Sequence, residues 1–217
     1  LALAQRLKTL YRCPAYVANN TELAALGQVA RGNLDARESH NRVTFLINGS
    51  VEVGVTVQGA VYHRGGDIGA MRYIPRGQAS AVPLANMLGW QAVQHRAADL
   101  RRAYPHTRLP AAGLTYLHIR HAAGLKDPAA EVLVDELASV LSIGVAWAIA
   151  LLRPHTIVLA GQIADLGDLL INRLRHHAAE RLSIGDIAPV QFTLASGLDL
   201  SARGAVVFAV NHELEIL

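Results

Sequence analysis

The carboxyl-terminal half of the chain alternates long apolar segments with short buried ones, and this alternation limits the possible folds more than any other feature. Residues 127–152 predict one long helix that stops at Arg153-Pro154. The following residues predict a buried parallel strand that runs into a turn within 155–163, a helix at 166–182, a strand at 190–195 and a closing helix that opens at 202. A βαβα order is typical of a three-layer α/β lobe.

The long helix is apolar on more than one face, which is expected only of a helix buried on several sides. Its large apolar residues are Leu133, Leu137, Val140, Leu141, Ile143, Val145, Ile149 and Leu152. With 52% apolar residues, a chain of 217 residues can bury a substantial core. We therefore expect one domain over residues 1–217.

The composition also limits where the chain works and what it binds. A single cysteine excludes a disulfide framework. No uninterrupted apolar run reaches the roughly 18 residues of a membrane span, so we expect a cytoplasmic protein with no membrane contact. The net charge of +3 comes with arginines that are spread along the chain, which favours a solvated face over a nucleic-acid surface.

Two adjacent asparagines mark the first candidate site. An apolar stretch at 15–17, expected to form a strand, leads into Asn19 and Asn20 and then into a helix that is apolar at Leu23 and Leu26. Such a junction lies at the carboxyl end of a sheet, where open α/β folds usually bind ligands. An amide has no basicity for proton transfer, and asparagine is also a preferred helix N-cap. Both a binding role and a capping role remain open.

The stretch 17–27, Val-Ala-Asn-Asn-Thr-Glu-Leu-Ala-Ala-Leu-Gly, resembles a motif of the ROK family, which groups repressors, uncharacterised reading frames and sugar kinases. The family motif reads Val-x-Val-Glu-Asn-Asp-x-Asn-Ala-Ala-Ala-Leu-Gly. Without a gap, the family's Glu falls on Ala18, its Asn on Asn19 and its catalytic Asp on Asn20. The resemblance implies that the base for sugar phosphorylation is missing.

A second segment is similar to the family's Gly-Thr-Gly-Ile-Gly phosphate loop, which lies between two strands. Here the five loop positions are Asn48, Gly49, Ser50, Val51 and Glu52, and the glycines that match the family are the later ones at 54 and 59. Glycines let backbone N–H groups approach a phosphate closely. Because Glu52 adds bulk and negative charge there, we expect nucleotide phosphate to bind poorly.

A third segment, 62–71, is similar to the family's Gly-Glu-Ile-Gly-His-Met, in which Glu contacts the sugar and His serves sugar and zinc. Asp67 keeps a shorter carboxylate, and Ala70 replaces the His. The cysteine-rich zinc knuckle that follows in the family has no counterpart in 72–80, and Cys13 is the chain's only thiol. Four N or S ligands make a closed zinc site, so we expect no structural zinc.

The resemblance implies a lobe of the actin-like, ribonuclease H-like ATPase superfamily, with a mixed sheet flanked by helices and the amino-terminal lobe absent. It also implies the catalytically inactive, effector-sensing and oligomerisation domain of a transcriptional regulator. A sugar or sugar derivative would contact Asn19, Asn20 and Asp67. We expect a homodimer through the carboxyl-terminal helices, and DNA contact only through a winged helix-turn-helix upstream of Leu1.

Two alternatives remain: a divergent sugar kinase fragment, and a dimerisation-only domain that has lost its sugar site. We expect no cofactor and no catalytic residue. His118 and His121 lie three residues apart on a predicted helix and face the same side. No third ligand is evident in the sequence, so we expect no metal site.

Overall fold

The computed structural model describes residues 2–31, 41–58, 60–62, 68–75, 79–195 and 199–214. The helices within these ranges are α1 (Ala2–Tyr11), α2 (Asn20–Arg31), α3 (Ala85–Leu88), α4 (Trp90–Ala103), α5 (Tyr116–Gly124), α6 (Pro128–Leu152), α7 (Asp168–Ala179), α8 (Ile184–Ile187) and α9 (Asp199–Glu213). The strands are β1 (Arg42–Ile47), β2 (Val51–Val57), β3 (Ala60–Tyr62), β4 (Arg72–Tyr73), β5 (Val82–Pro83), β6 (Thr156–Ala160) and β7 (Gln191–Ala195). Single 3-10 turns occupy Ile68–Ala70 and Gln162–Leu166.

The main sheet is mixed, with strand order β3-β2-β1-β6-β7. Strands β1 and β2 form an antiparallel hairpin, whereas β6 runs parallel to both β1 and β7. The parallel neighbours end at the same edge of the sheet, because Leu46 of β1 pairs with Ala160 of β6. The turns that leave these two strands therefore meet.

Helices cover both faces of the sheet, and alternate residues of β1 show the separation. Phe45 belongs to the large apolar core on the side of α4 to α7, whereas Leu46 belongs to a smaller cluster with Ala24 of α2 and Leu200 of α9. Successive side chains of a strand point to opposite faces. The predicted three-layer α/β architecture is therefore confirmed.

Helix α6 is the centre of the larger core. It begins after Asp127, whose carboxylate accepts a hydrogen bond from Ala130 N at 3.1 Å, and it ends at Arg153, which has the left-handed φ of 42° that often closes a helix. Among the described helices it alone is long and apolar enough to cross a bilayer, and 67% of its most apolar stretch is buried inside the protein. It has the burial of a core helix.

Helices α2 and α9 pack with their backbones in contact. A Cβ atom on Gly204 would lie 1.7 Å from the carbonyl oxygen of Leu23, and one on Gly27 would lie 2.1 Å from that of Leu200. Real Cβ atoms do not approach that closely. The two glycines therefore let α2 and α9 lie side by side over one face of the sheet.

Several predicted boundaries differ from the observed ones. The strand expected at 15–17 is wrong: residues 14–19 form no strand, and Tyr16 and Val17 are exposed. The helix expected at 166–182 is α7, which begins only at Asp168 because Gly167 has a φ of 66°. The closing helix begins at Asp199, three residues before its predicted start.

Candidate functional site

Four chain segments enclose a cleft of about 420 Å³ at the carboxyl ends of β1 and β6. They are the start of α2, the β1–β2 turn, the turn after β6 and the start of α9. The described lining residues are Asn20, Leu46, Asn48, Gly161, Gln162, Asp165, Leu200 and Ser201. Small-molecule sites typically span about 300–1,000 Å³, so the cleft has room for a ligand of monosaccharide size.

The two predicted asparagines have different surroundings. The Asn19 side chain accepts a hydrogen bond from Thr21 N at 2.8 Å, and the Asn19 carbonyl accepts one from Leu23 N at 3.0 Å. Asn19 thus caps α2, as the alternative interpretation of this residue expects. The exposed Asn20 side chain lines the cleft and has no hydrogen bond to a described residue, while its backbone carbonyl accepts one from Ser201 Oγ at 3.1 Å. Asn20 therefore has amide groups available to a ligand.

Asp67, the third predicted contact, lies outside the described residues. Ala70 is exposed at the end of the 3-10 turn that follows. Roles for Asn19, Asn20 and Asp67 in ligand binding stay predictions.

A carboxylate of the chain itself lies beside the first turn of α2. Glu52, near the start of β2, accepts a hydrogen bond from the hydroxyl of Thr21, in the first turn of α2, and another from Ser50 Oγ at 2.8 Å. Anions are stabilised at helix N-termini. Glu52 therefore occupies the position that would otherwise attract an anionic group.

The β1–β2 turn and the turn after β6 are bonded to each other. The side-chain oxygen of Asn48 accepts a hydrogen bond from Gln162 N at 2.9 Å, across 114 positions of sequence. Gly161 has a φ of 86°, and a Cβ atom there would lie 2.6 Å from that same oxygen. The backbone N–H group of Gln162, which could otherwise bind a phosphate, therefore already has a hydrogen-bond partner within the protein. Sequence reasoning missed this bridge, although an asparagine in place of the loop's first glycine was its signal.

The described lining of the cleft offers no positive side chain to a nucleotide phosphate. The described lining of the cleft contains one carboxylate, that of Asp165, and no lysine, arginine or histidine. Phosphoryl transfer depends on positioning and charge neutralisation, and this cleft offers a negative charge in place of a positive one. The arrangement can instead hydrogen-bond hydroxyl, amide or ammonium groups.

No three His, Cys, Asp or Glu side chains of the described residues form a group that could hold a metal ion. Cys13 is exposed on the segment between α1 and α2.

Several solved structures superpose on most of this chain. A ROK family transcriptional regulator, described as a homologue of the Escherichia coli MLC protein, superposes with a TM-score of 0.81 at 21% identity and covers 94% of this chain and 53% of its own. A putative sugar kinase from Cytophaga hutchinsonii gives 0.80 at 17% identity, covering 96% of this chain and 70% of that one. A ROK family glucokinase from Streptomyces griseus, in complex with glucose and AMPPNP, gives 0.76 at 20% identity, covering 95% and 71%.

These neighbours include both a regulator and kinases, and at this identity they show the fold, which is that of the actin-like ATPases. The chain spans about half the length of the regulator it matches. Among curated proteins no sequence match was found. The profile of the ROK family matches residues 1–212, nearly the whole sequence. The chain therefore belongs to the ROK family.

Proposed function

We propose that this chain is the effector-sensing and oligomerisation domain of a ROK-family transcriptional regulator of the cytoplasm, and that it is catalytically inactive. The observation that carries the proposal is that Asn20, the residue that the motif resemblance matches to the family's catalytic Asp, lines the cleft with an amide in place of a carboxylate. A regulator needs only different ligand affinities in its two states. It can lose catalysis and keep the pocket.

The phosphate loop supports the same proposal independently of Asn20. Glu52 places a carboxylate beside the start of α2, and Asn48 closes the loop onto Gln162. The Glu52 carboxylate would repel a bound triphosphate. The Asn48 side chain already accepts the hydrogen bond that Gln162 N could otherwise donate to a phosphate. Neither opposes an uncharged sugar in the 420 Å³ cleft. A DNA-binding segment outside these 217 residues would read the operator.

We expect Asn20→Ala to weaken binding of a sugar ligand by about tenfold, because it removes one or two hydrogen bonds to the ligand. Calorimetric titration of the wild type with hexoses, N-acetyl sugars and sugar phosphates identifies the ligand, and the variant is then titrated with it. Asn172→Ala is the matched control, since Asn172 is an exposed helical asparagine on α7, away from the cleft. Equal affinity of Asn20→Ala and wild type would remove Asn20 from the site.

The proposal further expects no phosphoryl transfer. A coupled assay of ADP release with ATP and each sugar should give no rate above the protein-free rate, for the wild type and for Asn20→Asp. The Asn20→Asp variant regains the carboxylate, but its phosphate loop at 48–52 stays altered, so we expect no turnover from it either. Turnover by the wild type would establish a divergent kinase, and binding of no sugar at all would leave a domain that only dimerises.

The oligomerisation part of the proposal rests on α9. Its apolar residues Val206 and Val210, and Leu214 directly after its last turn, follow one another at four-residue spacing and are 64%, 46% and 63% exposed. Residues at this spacing lie on one face of a helix. We propose that this stripe packs against its copy in a homodimer, which agrees with the expected role of the carboxyl-terminal helices.

The double change Val206→Glu and Val210→Glu is expected to convert the dimer into a monomer, because four carboxylates would meet in one apolar contact. Light scattering coupled to size-exclusion chromatography measures the mass directly. Ile184→Glu is the control, because Ile184 is 77% exposed on α8 and receives the same new charge. A dimer that survives the double change would place the interface elsewhere.

A further inference from the structure

Asp165 is a carboxylate for which the described residues provide no counter-charge. It lies in the 3-10 turn after β6, lines the cleft and is half-buried. It forms no hydrogen bond or ion pair with any residue that the structure describes. Burying a charge is costly unless it is paired. A half-buried, unpaired carboxylate in a cleft is therefore suited to a cationic ligand group.

The remaining lining groups are neutral and polar or apolar. The exposed side chains of Asn20 and Gln162 form no hydrogen bond to described residues, and Ser201 contributes a hydroxyl. Leu46 and Leu200 are 7% and 4% exposed and form the apolar part of the wall. Amides and hydroxyls supply both donors and acceptors. This set suits a compact molecule with several hydroxyl groups.

The start of α2 does not offset the negative charge. A helix N-terminus attracts anions through its free N–H groups, but here Asn19 accepts from Thr21 N and the Glu52 carboxylate lies against the Thr21 hydroxyl. Within the described lining, Asp165 thus meets no positive group. The cleft disfavours a phosphorylated ligand and favours a protonated amine.

We infer that this cleft takes a polyhydroxylated ligand that carries a protonated amine, such as an amino sugar, with Asp165 as the counter-ion of the ammonium group. Asn20, Gln162 and Ser201 then hydrogen-bond the hydroxyl groups. The inference rests on the proposed effector-binding role of the cleft and specifies the chemical class of the effector. A charge-assisted hydrogen bond is roughly twice as strong as a neutral one, so the amine distinguishes this ligand from an ordinary sugar.

The test is a calorimetric comparison of D-glucosamine, D-glucose, N-acetyl-D-glucosamine and D-glucose 6-phosphate on the full chain near pH 6.5. The expected order places glucosamine at least about tenfold tighter than glucose, which is what one charge-assisted contact supplies. Glucose 6-phosphate should bind weakest. Asp165→Asn, which keeps the shape and removes the charge, should bring glucosamine to the affinity of glucose. Asp168→Asn, an exposed carboxylate three residues later, is the matched control and should change nothing.

The outcomes separate the two proposals. If the neutral sugars bind as tightly as glucosamine and Asp165→Asn changes no affinity, the amine inference is overturned while effector binding stands. If none of the four binds, both proposals fail for this ligand class. A measurement on the wild type covers the case in which Asp165→Asn does not fold: raising NaCl from 20 to 500 mM should weaken glucosamine several-fold and leave glucose unchanged. Equal salt responses would contradict an ion pair.

Discussion

Gly204→Ala is expected to destabilise the protein by about 3 kcal/mol or more, at the upper end of the cost of overpacking a core. The added Cβ would lie 1.7 Å from the carbonyl oxygen of Leu23 and 3.0 Å from the backbone nitrogen of Gly27. Both neighbours are backbone atoms, which cannot rotate away as a side chain can. Helices α2 and α9 would have to separate, and the contacts along their length would be lost.

Urea denaturation and thermal melting measure this effect. For a chain of this length each kcal/mol lowers the melting temperature by roughly 2–4 °C, so a decrease of about 6–12 °C is expected. Gly124→Ala is the matched control, because Gly124 lies in α5 and an added Cβ there meets nothing within 4 Å. That change should be neutral or stabilise by up to about 1 kcal/mol. Similar melting temperatures for the two variants would contradict the close packing of α2 and α9.

The second large effect is expected at Asp127, which is 5% exposed. Its carboxylate accepts hydrogen bonds from Arg108 N at 2.6 Å, Thr107 Oγ1 at 2.8 Å and Ala130 N at 3.1 Å. Asp127→Ala removes the N-cap of α6, a loss of about 1 kcal/mol, and leaves buried donors unsatisfied at about 1–3 kcal/mol each. We expect a loss of about 3 kcal/mol in urea denaturation at pH 7.

The pH dependence of this loss identifies the carboxylate as its source. Burial raises the pKa of Asp127, but the hydrogen bonds from Arg108 N, Ala130 N and Thr107 outweigh burial, so the pKa is lowered overall. A group with a lowered folded-state pKa stabilises the protein above its unfolded-state pKa, and this contribution is lost as the pH falls through the folded-state value. The wild type and Asp127→Ala should therefore approach each other in stability below about pH 4.

Two controls accompany the Asp127 series. Asp127→Asn keeps one acceptor oxygen but turns an amide donor toward a backbone N–H group, so its loss should be intermediate. Asp168→Ala removes an exposed carboxylate from the first turn of α7 and should cost less than about 1 kcal/mol. A stability difference between the wild type and Asp127→Ala that stays constant from pH 7 to pH 3.5 would contradict the role of the charge.

The sequence predicts the helices and strands of the carboxyl-terminal half well for a physical reason. Helix α6 begins at Pro128 behind an aspartate cap and ends before Pro154, and both boundaries depend on adjacent residues alone. Strand β6 contains the continuous apolar run 157–160, which begins after Thr156 and ends before Gly161. The strand expected at 15–17 failed because β-structure needs a partner strand, and sequence pattern does not show whether one is adjacent.

The candidate site is less predictable because its key contacts join distant segments. The resemblance assigned Asn19 and Asn20 together, yet one residue caps α2 and its neighbour lines the cleft. Asn48 appeared only as a missing glycine, whereas its bond to Gln162 crosses 114 positions. Asp165 gives no signal in the sequence, since one acidic residue near a turn is ordinary. Only the structure distinguishes Asp165, because no described residue around it carries the opposite charge.

The Asn48–Gln162 bond also bears on how a ligand would signal. Because an internal hydrogen bond already joins the two turns at the cleft, a ligand has no disordered loop to freeze, and less of its binding energy is spent on conformational entropy. Any conformational effect of the ligand must then pass through a part of the cleft lining that the Asn48–Gln162 bond does not hold in place. Asn20 lies on α2 and Ser201 lies on α9, the two helices that pack against each other at their glycines. A ligand that bridges Asn20 and Ser201 would therefore either push α2 and α9 apart or hold them together.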